Sequence, residues 1–77
     1  MHVLEREIAL DLCVILVNSD HFLTEPELRE AALHGAYCDT EEYESGFAYA
    51  VGEHWIRPAH ARPSLTLTSR GLGVIGR

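Results

Sequence analysis

Five histidines and two cysteines are the residues of this 77-residue chain that could bind a metal ion. His34 and Cys38 are four residues apart, Asp39 follows directly, and His54 and His60 come later. Zinc sites usually combine closely spaced ligand pairs such as C-x-x-C, and no such pair is present. A glycine directly after His34 also interrupts the helix that would align His34 with Cys38. We therefore expect neither a metal site nor a cofactor.

Catalytic chemistry has two candidate sources in the sequence. Cys38 beside a histidine could act as a nucleophile, and Glu41, Glu42 and Glu44 could supply acid and base groups. No nucleophile elbow or phosphate-binding loop accompanies them, and so short a chain rarely encloses a substrate pocket. The carboxylates are better explained as the solvated first turns of a helix, where the helix dipole favours negative charge. We therefore expect a non-enzymatic protein.

The most apolar stretch of the chain is residues 8–17, in which nine of ten residues are apolar. Its length and the absence of a helix breaker predict a buried helix from Val3 to Asn18. A membrane span needs about 20 apolar residues, which is twice this run, and no signal-peptide pattern precedes it. The two cysteines, Cys13 and Cys38, are interpreted as reduced thiols of a cytoplasmic protein.

A second helix is predicted to begin after Thr24 and to end at Gly35. Thr24 and Glu27 match the S/T-x-x-E capping box, in which each side chain accepts a hydrogen bond from the other residue's amide. Pro26 lies in the first turn, where its missing N–H costs no hydrogen bond. Gly35 is expected to terminate the helix, because glycine is common directly after the last helical residue.

A third helix is predicted to begin after Asp39 or Thr40 and to have two different faces. The apolar face recurs at helical spacing and consists of Tyr43, Phe47, Ala50, Val51 and His54. The opposite face is acidic and polar and consists of Glu41, Glu42, Ser45, Tyr49, Gly52 and Glu53. Gly46 inside the helix lowers its stability by about 1 kcal/mol relative to alanine, which suggests that close packing requires it.

The last third of the chain predicts a β-hairpin. Trp55 and Ile56 begin the first strand, residues 57–63 with two prolines form the loop, and the alternation in residues 64–68 predicts a half-buried second strand. Glycines in the remaining tail predict only a weak helix there. The whole chain, residues 1–77, is one mostly α, α+β domain, a three-helix bundle with a C-terminal two-stranded β-hairpin. The predicted core is Leu12, Ile15, Leu28, Phe47, Val51, Trp55, Leu65 and Leu67.

This order of elements resembles the winged-helix domain family, in which three helices are followed by a hairpin called the wing. Two segments carry the resemblance: Val51-Gly-Glu-His-Trp-Ile56, at the end of the third helix, and Leu65-Thr-Leu-Thr-Ser-Arg-Gly71, which is similar to the returning strand. The resemblance covers the chain from Leu4 to Gly71. It implies a helix-turn-helix whose third helix, residues 40–54, enters the DNA major groove, with residues 57–63 as the tip of the wing.

Charge is unevenly distributed along the chain. Residues 1–53 hold all twelve acidic residues and two of the six arginines, a net charge of −10, whereas residues 54–77 hold four arginines and no acid. A helix that reads bases normally presents Arg, Lys, Asn or Gln, but the third helix presents carboxylates. Their repulsion by phosphates disfavours DNA binding through this helix.

Two functions compete on these observations. The first is a regulatory or adaptor module that binds a protein partner with a basic surface through Glu41, Glu42, Ser45, Tyr49 and Glu53. The alternative is a DNA-binding transcription regulator that contacts DNA through Arg57, His60, Arg62 and Arg70. The wide apolar surface of the first helix, from Val3 to Asn18, also predicts a homodimer contact. No membrane interaction is expected.

Overall fold

The computed structural model describes residues 2–19, 22–35, 38–58 and 64–76, with side chains from residue 5 onward. The elements in chain order are α1 (His2–Asn18), α2 (Glu25–His34), α3 (Thr40–Gly52), β1 (Ile56–Pro58), β2 (Leu65–Leu67) and α4 (Ser69–Val74). The predicted mostly helical fold, three helices followed by a two-stranded hairpin, is confirmed. A short fourth helix follows the hairpin.

The central element is α1, which packs mainly against α3. Ile8, Ala9, Leu12 and Cys13 on α1 are all buried. The two helices are in close contact at Gly46, where an added methyl group would lie 2.8 Å from Cβ of Ile8 and 3.3 Å from the amide nitrogen of Ala9. Both distances are shorter than ordinary van der Waals contact, so the requirement for close packing at Gly46 is confirmed.

Both interior helices begin with complete capping boxes. In α2, the amide of Thr24 donates to Oε1 of Glu27 at 2.8 Å, and the amide of Glu27 donates to the Thr24 hydroxyl. In α3, Asp39 is the N-cap, and its amide donates to Oε1 of Glu42 at 2.9 Å. The amide of Glu42 returns a hydrogen bond to Oδ1 of Asp39 at 2.8 Å. Each box satisfies amides that a helix start otherwise leaves unpaired.

A buried tyrosine joins α2 to α3. The Tyr43 hydroxyl donates to Oε2 of Glu25 at 2.7 Å, and the Tyr43 ring stacks on Phe47 with a centroid separation of 5.7 Å. Burial, followed by the hydrogen bond and charge of Glu25, raises the pKa of the Tyr43 phenol far above its ordinary value. The phenol therefore stays protonated and keeps donating this hydrogen bond at any physiological pH.

The hairpin pairs β1 with β2 in antiparallel register, with Ile56 opposite Leu67 and Pro58 opposite Leu65. The segment before α2 adds to its other edge, because Thr24 and Ser64 form a β-bridge and the Leu65 amide donates to the Leu23 carbonyl at 2.7 Å. The hairpin is thus tied to the start of α2 as well as to the end of α3. The predicted strand over residues 64–68 is confirmed at its centre, Leu65–Leu67.

The predicted core is largely confirmed. Leu12, Leu28, Trp55 and Leu65 are buried. Ile15, Phe47 and Leu67 are partly buried and pack against that cluster. Val51 is also only partly exposed, but it lines a surface groove described below.

Three local expectations differ from the structure. The first strand extends to Pro58, so Arg57 and Pro58, which were predicted to lie in the hairpin loop, pair with β2. Gly35 caps α2 with φ of −76°, so it ends the helix without using the left-handed region available to glycine. His54 does not continue the apolar face of α3, because the helix ends at Gly52 and His54 is exposed with φ of 62°.

Replacing Gly46 with alanine is expected to destabilise the protein by about 1–2 kcal/mol, measured by chemical denaturation. The gain in helix propensity, roughly 1 kcal/mol, is outweighed by overpacking against Ile8, which typically costs about 1–3 kcal/mol. Gly52→Ala in the same helix is the matched control, because nothing lies within 4 Å of the added methyl group. That control is expected to be neutral or slightly stabilising, and equal effects of the two substitutions would contradict the close contact.

Candidate functional site: the outer face of α3 and an arginine groove

The outward face of α3 is determined by the three residues that face the core. Tyr43, Gly46 and Ala50 are buried, so the opposite side of the helix lies in solvent. The exposed residues on that side are Glu41, Glu44, Ser45, Ala48 and Gly52. We call this set the α3 outer face. It has carboxylates at its N-terminal end and small side chains over the remainder.

Glu42 lies at the margin of this face and already has a structural role. Its carboxylate closes the capping box with the Asp39 amide, and the residue is only partly exposed. A partner that took Glu42 as a ligand would compete with this cap, whose loss typically costs about 1 kcal/mol. Glu41 and Glu44 are more accessible carboxylates. Glu53, the C-cap of α3, is exposed.

Tyr49, the predicted anchor of the acidic face, packs sideways into the protein. Its ring meets Trp55 edge to face, with centroids 5.6 Å apart and an interplanar angle of 66°. The Arg6 guanidinium lies 5.5 Å from the centre of the Trp55 ring, as a cation–π contact requires. Tyr49 is half-buried and belongs to the margin of the core as much as to the surface.

A groove of about 440 Å³ opens beyond the C-terminal end of α3. Arg57 from β1 and Arg70 from α4 both line it, and both are exposed. Its remaining lining consists of Val51, His54, Ile56, Pro58, Thr68 and Ser69. We call it the arginine groove. Two guanidinium groups on one concave surface suit a carboxylate or phosphate, because each guanidinium can form two parallel hydrogen bonds to such a group.

Thr68 connects the residues before β1 with the start of α4 at the base of the groove. Its amide donates to the Trp55 carbonyl at 3.0 Å, and its hydroxyl lies within hydrogen-bonding distance of the carbonyl oxygens of Trp55 and His54. The same hydroxyl oxygen accepts from the amide of Gly71 at 3.1 Å and so caps α4. These hydrogen bonds connect the start of α4, which carries Arg70, to the residues that directly precede β1, which carries Arg57.

Gly71 allows α4 to lie against this junction. A β-carbon at that position would lie 2.6 Å from Cδ1 of Leu67 and 3.2 Å from the carbonyl carbon of Trp55. The sequence pattern indicated a helix breaker here, but the structure uses the glycine for a close approach. Helix α4 consequently packs tightly against the base of the hairpin.

The two sets of predicted site residues have different positions in the structure. Arg57 and Arg70, thirteen positions apart in the chain, line the same groove, while His60 and Arg62 lie outside the described residues. Within the acidic set, Glu41, Ser45 and Glu53 are exposed, whereas Glu42 and Tyr49 are only partly so.

Sequence reasoning did not assign Glu44, Ala48, His54 and Ser69 to either surface. Glu44, Ala48 and Val51 follow one another at spacings of four and three residues, which is the signal that could have placed them on one side of α3. No sequence signal places Ser69 in the groove, because its position depends on how α4 folds back onto the hairpin.

The cysteines are poorly suited to nucleophilic chemistry. Burial raises the pKa of the Cys13 thiol to about 11. Burial and then the nearby carboxylates of Glu42, Asp39 and Asp11 raise the pKa of the Cys38 thiol. Reactive thiols require the opposite shift, since the thiolate is the nucleophile.

The histidine nearest to Cys38 in the sequence makes a surface contact. Nε2 of His34 lies 3.3 Å from Oε1 of Glu30, and both side chains are largely exposed. Over residues 2–19, 22–35, 38–58 and 64–76, no three His, Cys, Asp or Glu side chains cluster as metal ligands would. The predicted absence of a metal site stays a prediction.

Comparison with known proteins gives no match, whether the chain is compared with protein-family models, with curated proteins or with solved structures. The resemblance to winged-helix domains therefore rests on the chain's own motifs and on the order of its elements. Within the described part of the chain, each helix is too short or too polar to cross a membrane.

Replacing Thr68 with valine is expected to destabilise the protein by about 1–2 kcal/mol, since it removes the hydroxyl that caps α4 and binds the turn before β1. Thermal or chemical denaturation measures this loss. Thr66→Val, at an exposed position of β2, is the matched control and is expected to stay within about 0.5 kcal/mol of wild type. A neutral Thr68 variant would contradict the proposed junction.

Proposed function

We propose that this chain is a small, non-enzymatic, winged-helix-like module of the cytoplasm. It acts as a regulator or adaptor by binding a protein partner through α3. The single observation that supports this most is the composition of the α3 outer face. Glu41 and Glu44 provide its charge, Ser45, Ala48 and Gly52 complete it, and α3 contains no Arg, Lys, Asn or Gln. A surface of this kind suits a partner with a basic surface and is poorly suited to reading base edges.

The residues that the sequence predicted to bind the partner are all kept in this proposal, but they differ in how directly they contact it. Glu41, Ser45 and Glu53 remain direct contacts in this proposal because they are exposed. Glu42 contributes mainly through the helix cap, and Tyr49 through the part of its side chain that is still exposed. Glu44 joins the contact set.

Reversal of charge at Glu41 and Glu44, to arginine, is expected to abolish capture of a native partner from lysate, while the circular dichroism spectrum stays unchanged. Interface charges set the rate of encounter and the choice of partner, so reversing two of them disfavours a basic partner. Both side chains are exposed and hydrogen-bonded to no described neighbour, so the fold is expected to survive.

The matched control is Glu7→Arg with Glu30→Arg, two exposed acidic residues on α1 and α2. It changes the net charge by the same amount without touching α3. Partner capture is expected to persist in this control. Loss of capture in both variants would show that net charge alone matters, and capture by both would place the contact surface elsewhere.

The second candidate function is DNA binding through the hairpin, and the arginine groove favours it specifically. Arg57 and Arg70 line the same concave surface, as does Pro58, the last described residue before the segment that contains His60 and Arg62. Basic residues that contact phosphates supply sequence-independent affinity and release counterions. The carboxylates of α3 oppose this mode if α3 faces the duplex.

A duplex-DNA titration at two salt concentrations is expected to show no measurable affinity for the wild-type protein at physiological salt. Binding that weakens steeply with salt and disappears in an Arg57→Gln, Arg70→Gln variant would instead establish the second function. Each phosphate contact removed is expected to reduce the slope of log K against log salt by about 0.9.

The homodimer contact predicted for α1 remains a prediction. Part of the apolar surface of α1 is already buried in the core of the chain, at Ile8, Ala9, Leu12 and Cys13. This part is not free to contact a second copy. Val14 is exposed at the edge of the helix. The largest exposed apolar side chain near its C-terminal end is Phe22, at 70% exposure.

A further inference from the structure

We propose that a partner of the α3 outer face is a second copy of this chain, whose arginine groove supplies the basic surface. In this dimer the two α3 helices lie antiparallel across a two-fold axis. Glu41 and Glu44 of each copy face Arg57 and Arg70 of the other. The inference rests on the proposed function, because it names the partner of that same surface.

The acidic residues and the groove are the two ends of one surface strip. Glu44, Ala48 and Val51 recur at i, i+4 and i+7, so they share one side of α3. Val51 also lines the arginine groove. At 1.5 Å per residue, Glu44 and Val51 are separated by about 10 Å along the helix axis. A partner lying along this strip would meet carboxylates at one end and guanidinium groups at the other.

Within the described part of the chain, the charges at both ends of the strip have no ion-pair or side-chain hydrogen-bond partner. Among the described residues, none of Glu41, Glu44, Arg57 and Arg70 forms an ion pair or a side-chain hydrogen bond with another described residue. Arg29 of α2 and Glu44 line a neighbouring groove without forming such a pair. The four charged groups are therefore available to a partner.

Two-fold symmetry matches this charge pattern to itself. A strip that is acidic at one end and basic at the other pairs with an identical strip only when the two run antiparallel. Such a contact is isologous, uses the same patch on both copies and closes at two copies. Ala48 lies between the two ends, and its small side chain permits the close helix approach, about 8–10 Å between axes, that packed helices require.

The choice of a second copy over another basic partner rests on charge complementarity. The acidic end of the strip favours a basic surface opposite it. The arginine groove is such a surface, and it lies at the other end of the same helix, so two antiparallel copies bring the two together. Arginine is also suited to such an interface, because its planar guanidinium can bind a carboxylate through two hydrogen bonds. A chain of only 77 residues with a small core gains stability from association in addition.

Sedimentation equilibrium from low micromolar to millimolar protein tests the inference with four proteins. The wild type is expected to form a concentration-dependent dimer. The acidic-end variant, Glu41→Arg with Glu44→Arg, and the groove variant, Arg57→Glu with Arg70→Glu, are each expected to dimerise at least about tenfold more weakly. The Glu7→Arg, Glu30→Arg control is expected to dimerise like the wild type.

The decisive measurement mixes the two variants in equal amounts. At one end of the heterodimer, Glu41 and Glu44 of the groove variant face Arg57 and Arg70 of the acidic-end variant. At the other end, the introduced arginines of the acidic-end variant face the introduced glutamates of the groove variant, so opposite charges meet there as well. The mixture is therefore expected to form a one-to-one heterodimer about as tight as the wild-type dimer, although each variant alone dimerises much more weakly.

Three outcomes would overturn the inference: a wild type that is monomeric throughout, a dimer that both variants retain, and a mixture that stays monomeric. A dimer retained by both variants would place the contact on another surface, for which the exposed Phe22 and Val14 are candidates. Failure of the proposed function is separately visible. A monomeric wild type with capture that depends on Glu41 and Glu44 overturns self-association alone, whereas capture indifferent to those residues overturns the α3 function itself.

Discussion

The contact between α1 and α3 at Gly46 determines how the rest of the molecule is arranged. The contact requires a residue without a side chain on α3, because Ile8 and Ala9 occupy the space that a larger residue would take. The contact fixes the rotation of α3 about its axis. Tyr43 and Ala50 must then face inward, and the acidic and small residues must face outward. The composition of the outer face is thus a consequence of core packing.

Local signals in the sequence were sufficient for the helix starts and the hairpin. Both capping boxes depend on side chains three residues apart, Thr24 with Glu27 and Asp39 with Glu42, so no tertiary knowledge is needed to find them. The alternation around Leu65 and Leu67 similarly indicates which face of the strand is buried. These features were predictable because each arises from interactions within a few residues.

The features that escaped sequence reasoning depend on contacts across the fold. Gly71 was interpreted as a weak helix position, whereas its lack of a side chain lets α4 approach Leu67 and the Trp55 carbonyl. The groove combines arginines from β1 and α4, and their relative positions depend on the strand pairing, the Thr68 hydrogen bonds and the close approach at Gly71. Tyr49 falls on the polar side by helical periodicity, but Trp55 attracts its ring toward the core. In each case a residue distant in the chain decides the outcome.

The acidic residues of α3 serve the fold and the surface at once. A carboxylate in the first turn stabilises a helix through the dipole, typically by about 0.3–1 kcal/mol, whether or not a partner is present. Selection for helix stability and selection for binding therefore favour the same residues at Glu41 and Glu42. Arg57 and Arg70 have no such second role among the described contacts. Their presence together on one concave surface is therefore stronger evidence for a ligand than the presence of the carboxylates, which also stabilise the helix.

Trp55 gives the molecule an internal optical reporter, because it is the chain's single tryptophan and is only 4% exposed. Its indole contacts both Tyr49 of α3 and the Arg6 guanidinium of α1, just before the hairpin begins. A buried indole emits at shorter wavelength than a hydrated one, and a tyrosine ring so near transfers excitation to it efficiently. The emission spectrum of the unlabelled protein therefore registers any opening of the junction between the acidic helix and the arginine-bearing hairpin.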